Sequence, residues 1–218
     1  MNLTQELKNF QEQFRANQPE AVKQKMAQAT QDLIDSALAQ TAVKTGDTAP
    51  NFALPNAVGK TIELQELHKA GPVVIAFYRG QWCPYCNLEL RALQQYLPQI
   101  QTLGATLVAI SPQTPDNSLS TTEKNELTFE VLSDVGNKVA REFGLVFSLP
   151  EELRPIYVEF GIDLPGHNGD QTYELPIPAT YIVDQTGTVV HDFIEPDYTK
   201  RLDPEEIIAK LKTLPITA

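Results

Sequence analysis

The feature that constrains this chain most is a pair of cysteines three positions apart, Cys83 and Cys86, and its 218 residues hold no others. A disulfide between them would close a very short loop and would restrict the unfolded chain little. Structural cross-linking is therefore a poor explanation for the pair. In a chain without a secretory leader, a single C-x-x-C motif favours redox activity or metal binding.

The residues around the pair predict where the two sulfurs lie. The apolar run up to Tyr78 predicts a buried strand, and leucines at helical intervals over 84–101 predict a helix that begins near Pro84. Unpaired N–H groups and the helix dipole stabilise an anion at a helix N-terminus. A thiolate is such an anion, and in C-x-x-C settings its pKa falls to roughly 3.5–7.5. The spacing therefore allows one sulfur to attack a substrate and the other to resolve the product.

The alternatives to redox chemistry are a zinc site and a pair of inert core thiols. Zinc needs two further ligands, and His68, His167 and His191 are scattered singly along the chain. A strand-to-helix turn that carries Trp82 and Pro84 does not suit inert core thiols. Because no G-x-G-x-x-G or P-loop pattern is present either, we expect no metal, flavin or nucleotide cofactor.

Charge and hydropathy exclude some classes of partner. The chain has 17 Lys and Arg against 28 Asp and Glu, and the formal net charge of −11 argues against nucleic acid and anionic membranes. We find no apolar run of membrane-spanning length and no basic segment followed by an apolar one at the N-terminus. The expected location is the cytoplasm.

The chain divides into an N-terminal helical extension, residues 1–43, and a larger domain, residues 44–218. Apolar residues at helical spacing over 3–40 predict a helical hairpin that breaks near 16–19 and either packs on its own domain or forms a dimer contact. After Gly46, strands and helices alternate and predict a mixed α/β sandwich. Its predicted strands and helices lie at 46–54 and 58–64, 73–78, 84–101, 106–111, 118–126, 129–132, 135–142, 180–184, 189–194 and 204–214, with an insertion at 148–176 that is partly helical at 150–159.

The segment Phe77–Cys86, F-Y-R-G-Q-W-C-P-Y-C, resembles the active-site segment of the thioredoxin fold. More narrowly, it is similar to the peroxiredoxin-like branch of the AhpC/TSA (alkyl hydroperoxide reductase/thiol-specific antioxidant) family. The resemblance covers roughly residues 44–214 and includes Gly46–Leu54, Leu132–Asp134, Glu142–Gly144 and Pro178–Gly187. It implies a thioredoxin-like mixed sheet flanked by helices, with the N-terminal helices outside it.

The two templates nominate different nucleophiles. Peroxiredoxins carry a P-x-x-x-T/S-x-x-C pattern. When this pattern is aligned on Phe77-Tyr78, Arg79 takes the place of the proline and Cys83 the place of the Thr or Ser. The peroxidatic cysteine then falls on Cys86. Glu89 matches the acidic residue that usually follows that cysteine. A thioredoxin template instead matches Trp82 and makes Cys83 the attacking thiol. The choice between the two sulfurs stays open.

Two family features are absent from their usual places. Peroxiredoxins use an arginine before a late strand, but residues 175–180 contain none and resemble the cis-proline loop of thioredoxin-type reductases. This resemblance predicts that Ile177–Pro178 is cis and faces the cysteines. The buried acid that thioredoxins place before their motif would fall at Phe77. Arg79 is a candidate for the missing charge, with an exposed arginine at a strand end as the alternative.

Other side chains are secondary candidates. Glu89 is a candidate to orient Arg79 or Arg91, with an ordinary surface carboxylate as the alternative. His167 either caps the active site as a general acid or is an exposed loop residue. Trp82 and Tyr85 are expected to shape access to the sulfurs.

The resemblance implies a thiol peroxidase that reduces hydrogen peroxide or organic hydroperoxides, with a thioredoxin- or glutathione-type thiol as reductant. A thioredoxin-like protein disulfide reductase is the alternative, in which Cys83 attacks and Pro178 docks an extended substrate. A non-catalytic redox sensor that uses the N-terminal helices for partner binding is the third hypothesis. The particular hydroperoxide, the electron donor and a possible homodimer stay open.

Overall fold

The computed structural model of the chain describes residues 2–214. Met1 and residues 215–218, the outermost parts of the two predicted domains, lie outside the described residues. The helices are α1 (Leu3–Ala16), α2 (Glu20–Asp35), α3 (Leu38–Thr41), α4 (Leu64–Ala70), α5 (Pro84–Thr102), α6 (Pro115–Lys124), α7 (Lys138–Glu142), α8 (Arg154–Glu159), α9 (Leu164–Asn168) and α10 (Pro204–Leu211). The strands are β1 (Ala53–Pro55), β2 (Thr61–Glu63), β3 (Val73–Phe77), β4 (Thr106–Ser111), β5 (Glu130–Ser133), β6 (Val146–Ser148), β7 (Glu174–Pro176), β8 (Ala179–Val183) and β9 (Val189–Ile194).

A five-stranded mixed sheet with the order β5-β4-β3-β8-β9 forms the centre of the fold. Strands β3, β4 and β5 are parallel, and β8 and β9 join them antiparallel. All five residues of β3 are buried, as its uninterrupted apolar run predicts. The predicted thioredoxin-like mixed sheet flanked by helices is confirmed.

The sheet is covered on both faces because successive side chains of a strand point to opposite sides. On one face Val74 and Ala76 of β3 pack with apolar residues of α1, α5 and α10. On the other face Val73, Ile75 and Phe77 pack with residues of the β1–β2 hairpin and α7. Strand β3 therefore ends at Phe77 inside the protein, and the turn that carries Cys83 follows at this end of the strand.

The N-terminal helical hairpin is confirmed, with its break between Ala16 and Glu20. It packs on its own chain: Leu3 and Leu7 of α1 are buried in the core that contains α5, and the Phe10 ring meets Tyr85 edge-on at 5.1 Å. The first helix therefore covers the N-terminal half of α5. The boundary between residues 43 and 44, and the homodimer, stay predictions.

Three elements were not predicted from the sequence. Helix α4 follows the β1–β2 hairpin. Strands β6 and β7 form a short antiparallel pair in which Val146 lies opposite Pro176 across the predicted insertion. Strands of three residues are too short to carry an apolar period, and their pairing depends on a contact that is distant in sequence. The insertion consequently returns to the domain beside the start of β8. Over residues 2–214 we find no helix both long and apolar enough to cross a bilayer.

Candidate active site

The two cysteines lie at the turn between β3 and α5. Cys83 is the N-cap of α5 and Pro84 is its first residue, where the absent proline N–H leaves no helical hydrogen bond unmade. The turn needs glycine at position 80, because φ is +153° there and a Cβ would lie 2.3 Å from Nε1 of Trp82. The Cys83 N–H donates to the Gly80 carbonyl at 3.1 Å and closes the turn. The sequence expectation of a strand, a turn and a helix that starts at Pro84 is confirmed.

Neither cysteine is in a disulfide, and both are buried. Their pKa values are nevertheless shifted in opposite directions from the ordinary cysteine value. Burial alone would raise the pKa of Cys83, but a hydrogen bond with Cys86 and the charges of Arg79 and Arg201 outweigh burial and lower the pKa to about 6. Burial raises the pKa of Cys86 well above its usual range, and the hydrogen bond and negative charge of Cys83 raise it further. At neutral pH the pair therefore holds its negative charge on Cys83 and its proton on Cys86.

Arg79 lies against Cys83 and is buried, with 3% of its surface exposed. Its guanidinium lies over the rings of Tyr198 at 4.5 Å and Trp82 at 4.9 Å, and it donates to the hydroxyl of Tyr157. Arg79 forms no ion pair with a carboxylate in the described part of the chain. The alternative of an exposed arginine at the strand end is wrong, because the turn folds the side chain back under this aromatic cluster.

The counterpart of Arg79 on the Cys86 side is Arg201, which sequence reasoning missed. Its Nη2 donates to Sγ of Cys86 at 3.3 Å, and its Nε pairs with Oε2 of Glu89 at 2.6 Å. Arg201 also donates to the backbone oxygens of Tyr198 and Lys200. It follows β9 and lies 115 positions after Cys86, outside the segment 175–180 in which the family arginine was sought.

Glu89 is neither the predicted partner of Arg79 or Arg91 nor an ordinary surface carboxylate. It is 2% exposed and faces Arg201 from one turn beyond Cys86. Burial raises its pKa to about 7, although the charge of Arg201 acts in the opposite direction. Arg91 instead donates to Asn125 at 3.0 Å. Because charged partners this far apart in sequence follow no periodic pattern, only the folded structure identifies the pair.

Pro178 requires a correction. No peptide bond over residues 2–214 is cis, so Ile177–Pro178 is trans, and the predicted cis-proline loop is wrong. The chain runs in extended form from β7 into β8: the Ile177 N–H bonds to the Leu145 carbonyl, and Ala179 already pairs with Phe77. A trans bond continues this extended path.

His167 lies apart from the cysteines, against α6. Its Nδ1 hydrogen-bonds Oδ1 of Asn117 at 3.0 Å, and its own backbone carbonyl accepts from Thr114. Burial lowers its pKa, which favours the neutral imidazole. The predicted role as a cap over the active site has no geometric support, since His167 lines neither of the cavities described below.

Cys83 opens onto an apolar cavity of about 280 Å³. The helical hairpin supplies part of its wall through Phe10, Phe14 and Met26, and the insertion supplies Tyr157, Phe160 and Ile162. Trp82 and Tyr85, the predicted shapers of access, also line it. Among the described residues that line this cavity, Cys83 is present and Cys86 is not. Of the two sulfurs, Cys83 is therefore the one that a small molecule in the cavity meets.

A metal would need several ligating side chains together, and the described residues contain no cluster of three or more His, Cys, Asp or Glu placed to hold one.

Two buried thiols at the N-terminus of a helix that follows the central strand of a mixed sheet of this order define a thioredoxin-fold dithiol protein.

Comparison with known proteins narrows this class. Residues 45–192 match the AhpC/TSA family, and the chain belongs to that family. It is 31% identical over 166 residues to a chloroplastic peroxiredoxin Q of Gentiana triflora, covering 76% of this chain and 64% of that protein. It is 30% identical over 166 residues to the peroxiredoxin Q of Sedum lineare, covering 76% and 74%. The chain thus spans slightly less than two thirds of the length of some of the relatives it matches.

Solved structures show the same fold at lower identity. The peroxidoxin BcpB of Mycobacterium tuberculosis superposes with a TM-score of 0.63 at 22% identity, over 79% of this chain and 99% of that one. A PrxQ of Xylella fastidiosa superposes with a TM-score of 0.61 at 18% identity, over 79% and 97%.

Proposed function

We propose that this chain is a thiol-dependent peroxidase that reduces hydroperoxides through a dithiol–disulfide cycle of Cys83 and Cys86. The observation that carries the proposal is the different placement of the two sulfurs: Cys83 caps α5 and lines a cavity beside Arg79, whereas Cys86 is fully buried and does not line that cavity. The lowered pKa of Cys83 and the raised pKa of Cys86 agree with this arrangement. Membership of the AhpC/TSA family and the names of the peroxiredoxin relatives support the choice of a hydroperoxide as the oxidant.

The cycle begins at Cys83. Its thiolate attacks the terminal oxygen of the hydroperoxide, the O–O bond breaks, and the alcohol or water leaves after taking up a proton. The sulfur keeps the hydroxyl as a sulfenic acid. Cys86 then loses its proton and attacks that sulfur as a thiolate; the S–O bond breaks, and the leaving hydroxide takes up a proton and departs as water. A disulfide forms, so that two electrons pass from the two sulfurs to the hydroperoxide. An external thiol of the thioredoxin or glutathione type reduces the disulfide by exchange.

The choice of Cys83 as the first nucleophile rests on charge and access. Arg79 and Arg201 both stabilise its thiolate, and the cavity reaches it. The family template nominates Cys86, and Arg201 contacts that sulfur, but the same arginine is paired with Glu89, and burial outweighs its effect on the pKa of Cys86. Arg79, Trp82, Pro84 and Tyr85 are assigned supporting roles around Cys83, and Glu89 a supporting role at Cys86.

The protein disulfide reductase is the weaker hypothesis. Cys83 is 2% exposed beneath the N-terminal helices, which leaves an extended protein substrate little access to the sulfur. Pro178 is followed at once by paired β8 and does not form the cis turn that this hypothesis requires. The cytoplasmic location stays a prediction, and the plant relatives named above are chloroplastic.

Stopped-flow oxidation of the reduced protein by hydrogen peroxide tests the proposal. Trp82 is the only tryptophan and packs beside Cys83 against Arg79 and Tyr157, so its fluorescence reports the reaction. We expect a second-order rate constant far above that of free cysteine at the same pH, with one disulfide formed per peroxide consumed. A double variant, Cys83→Ser with Cys86→Ser, is the control. A wild-type rate no faster than free cysteine would overturn the proposal.

A further inference from the structure

A second cavity, of about 460 Å³, is also lined by Arg79 but not by Cys83. Helix α2, strand β6 and the first part of the insertion after β6 form most of its lining, with apolar side chains such as Leu33, Phe147 and Leu149. Arg79, Tyr157 and Tyr198 line this cavity and the Cys83 cavity alike. The volume is in the range of small-molecule sites.

Arg79 is the unusual element of this cavity. A buried charge is normally paired, yet the described residues offer this guanidinium no carboxylate, and its Nε has no hydrogen-bond partner among them. The groups that face it are Cys83, Cys86, Tyr157 and Tyr198. Burial raises the pKa of both tyrosines and of Cys86, so the Cys83 thiolate is the anion that balances Arg79 at neutral pH.

The redox state of Cys83 therefore decides whether Arg79 is paired. In the reduced protein, Cys83 balances Arg79, whereas Arg201 is paired with the buried Glu89. When the disulfide forms, the thiolate charge disappears, and a buried guanidinium is left beside a mostly apolar cavity. A ligand that fits both features has an alkyl chain and one carboxylate.

We propose that the cavity bounded by α2, β6 and Arg79 binds a small amphipathic carboxylate, with the carboxylate paired to Arg79 and the alkyl chain in the cavity. This ligand binds the disulfide form more tightly than the dithiol form. Asp32 also lines the cavity, but it is exposed and hydrogen-bonded to Gln28, so its charge is screened by solvent. This inference rests on the proposed Cys83–Cys86 cycle only to explain how the disulfide forms naturally. The preference of the ligand for the disulfide form does not depend on that cycle.

By linkage, the ligand must favour the disulfide by the same factor by which the disulfide favours the ligand. A tenfold preference raises the disulfide/dithiol ratio tenfold and makes the reduction potential about 30 mV more negative. The ligand thereby acts as a regulator of the active site without occupying the Cys83 cavity.

Calorimetric titration with sodium decanoate tests the proposal, with 1-decanol as the uncharged control and acetate as the control without a chain. The disulfide form is prepared with diamide, so that the test does not depend on peroxidase activity. We expect decanoate to bind the disulfide form at least tenfold more tightly than the dithiol form, decanol to show no preference, and acetate not to bind. Equal affinity of decanoate for the two forms, the same preference with decanol, or no binding of decanoate would each overturn the proposal.

Variants separate charge from shape. Cys83→Ser removes the thiolate without any oxidation and should bind decanoate as tightly as the disulfide form does. Arg79→Met should lose the preference for the disulfide form.

Leu33→Trp fills the cavity and should weaken binding at least tenfold, whereas Ile34→Trp, on the same helix but outside this cavity, should not. If Cys83→Ser binds decanoate no better than the reduced wild type, the pairing with Arg79 is wrong. Fast peroxide turnover together with such a result would reject the carboxylate site and leave the peroxidase standing.

Discussion

Cys83 and Cys86 are one helical turn apart, yet their surroundings have little in common. Cys83 caps α5, faces an aromatic cavity and has the otherwise unpaired Arg79 beside it. Cys86 is fully buried inside α5 and contacts Arg201, which is also paired with Glu89. The number of nearby cations therefore does not set a thiol's acidity, because Arg79 and Arg201 lower the pKa of both cysteines. Burial raises both pKa values, and the hydrogen bond between the two sulfurs separates them: it lowers the pKa of Cys83 and raises that of Cys86. Cys83 also lies at the helix N-terminus, where an anion is favoured.

The largest expected effect is the loss of the first nucleophile. Cys83→Ser should lower the rate constant for oxidation by hydrogen peroxide by at least about a thousandfold, because removal of a covalent nucleophile removes the step itself. Cys86→Ser should keep the first oxidation and accumulate a sulfenic acid at Cys83, which dimedone labelling and mass spectrometry detect. If Cys86→Ser is inactive and Cys83→Ser accumulates the sulfenic acid, the two sulfurs have the opposite roles.

The next effect concerns the buried pair behind Cys86. Arg201→Met should lower the free energy of unfolding by about 3–5 kcal/mol, because it leaves Glu89 buried without a partner. Arg141→Met is the matched control: its ion pair with Glu174 has the same 2.6 Å separation, but Arg141 is 55% exposed, so about 0.2–1 kcal/mol is expected.

Urea unfolding measures both variants. Adding Glu89→Gln to Arg201→Met should cost less than the sum of the two single changes, because the double variant leaves no buried charge. Equal losses for Arg201→Met and Arg141→Met would mean that burial does not distinguish the two pairs.

A smaller effect is expected on the Cys83 side. Arg79→Met should raise the pKa of Cys83 and lower its alkylation rate by iodoacetamide at pH 7 by about tenfold, because an adjacent cation lowers a thiol pKa by roughly one to three units. Arg154→Met is the control, since this arginine lies over Tyr173 and is not among the charges that act on Cys83. An unchanged rate in Arg79→Met would show that Arg201, the helix terminus and Cys86 stabilise the thiolate without Arg79.

The sequence was informative where structure depends on neighbours along the chain. The run Val73–Tyr78, the Pro84 start of α5 and the break in the N-terminal hairpin follow from local patterns, and they bring the cysteine pair to a helix terminus. Arg201 and Glu89 could not be paired in advance because 112 positions separate them, and the β6–β7 pair was missed because its strands are short. The cis bond at Pro178 was expected from a resemblance alone, and the bond is trans in the structure.

Site-resolved alkylation of the reduced wild-type protein measures directly whether Cys83 or Cys86 carries the thiolate. Initial rates of iodoacetamide modification at Cys83 and Cys86 are measured by peptide mass spectrometry between pH 4 and pH 10. Because the pKa of Cys83 is lowered, it is a thiolate above about pH 6, and its rate should fall only as the pH drops through that value. Cys86 should stay almost unmodified at neutral pH, since its pKa is raised. Faster modification of Cys86 than of Cys83 at pH 7 would contradict the account.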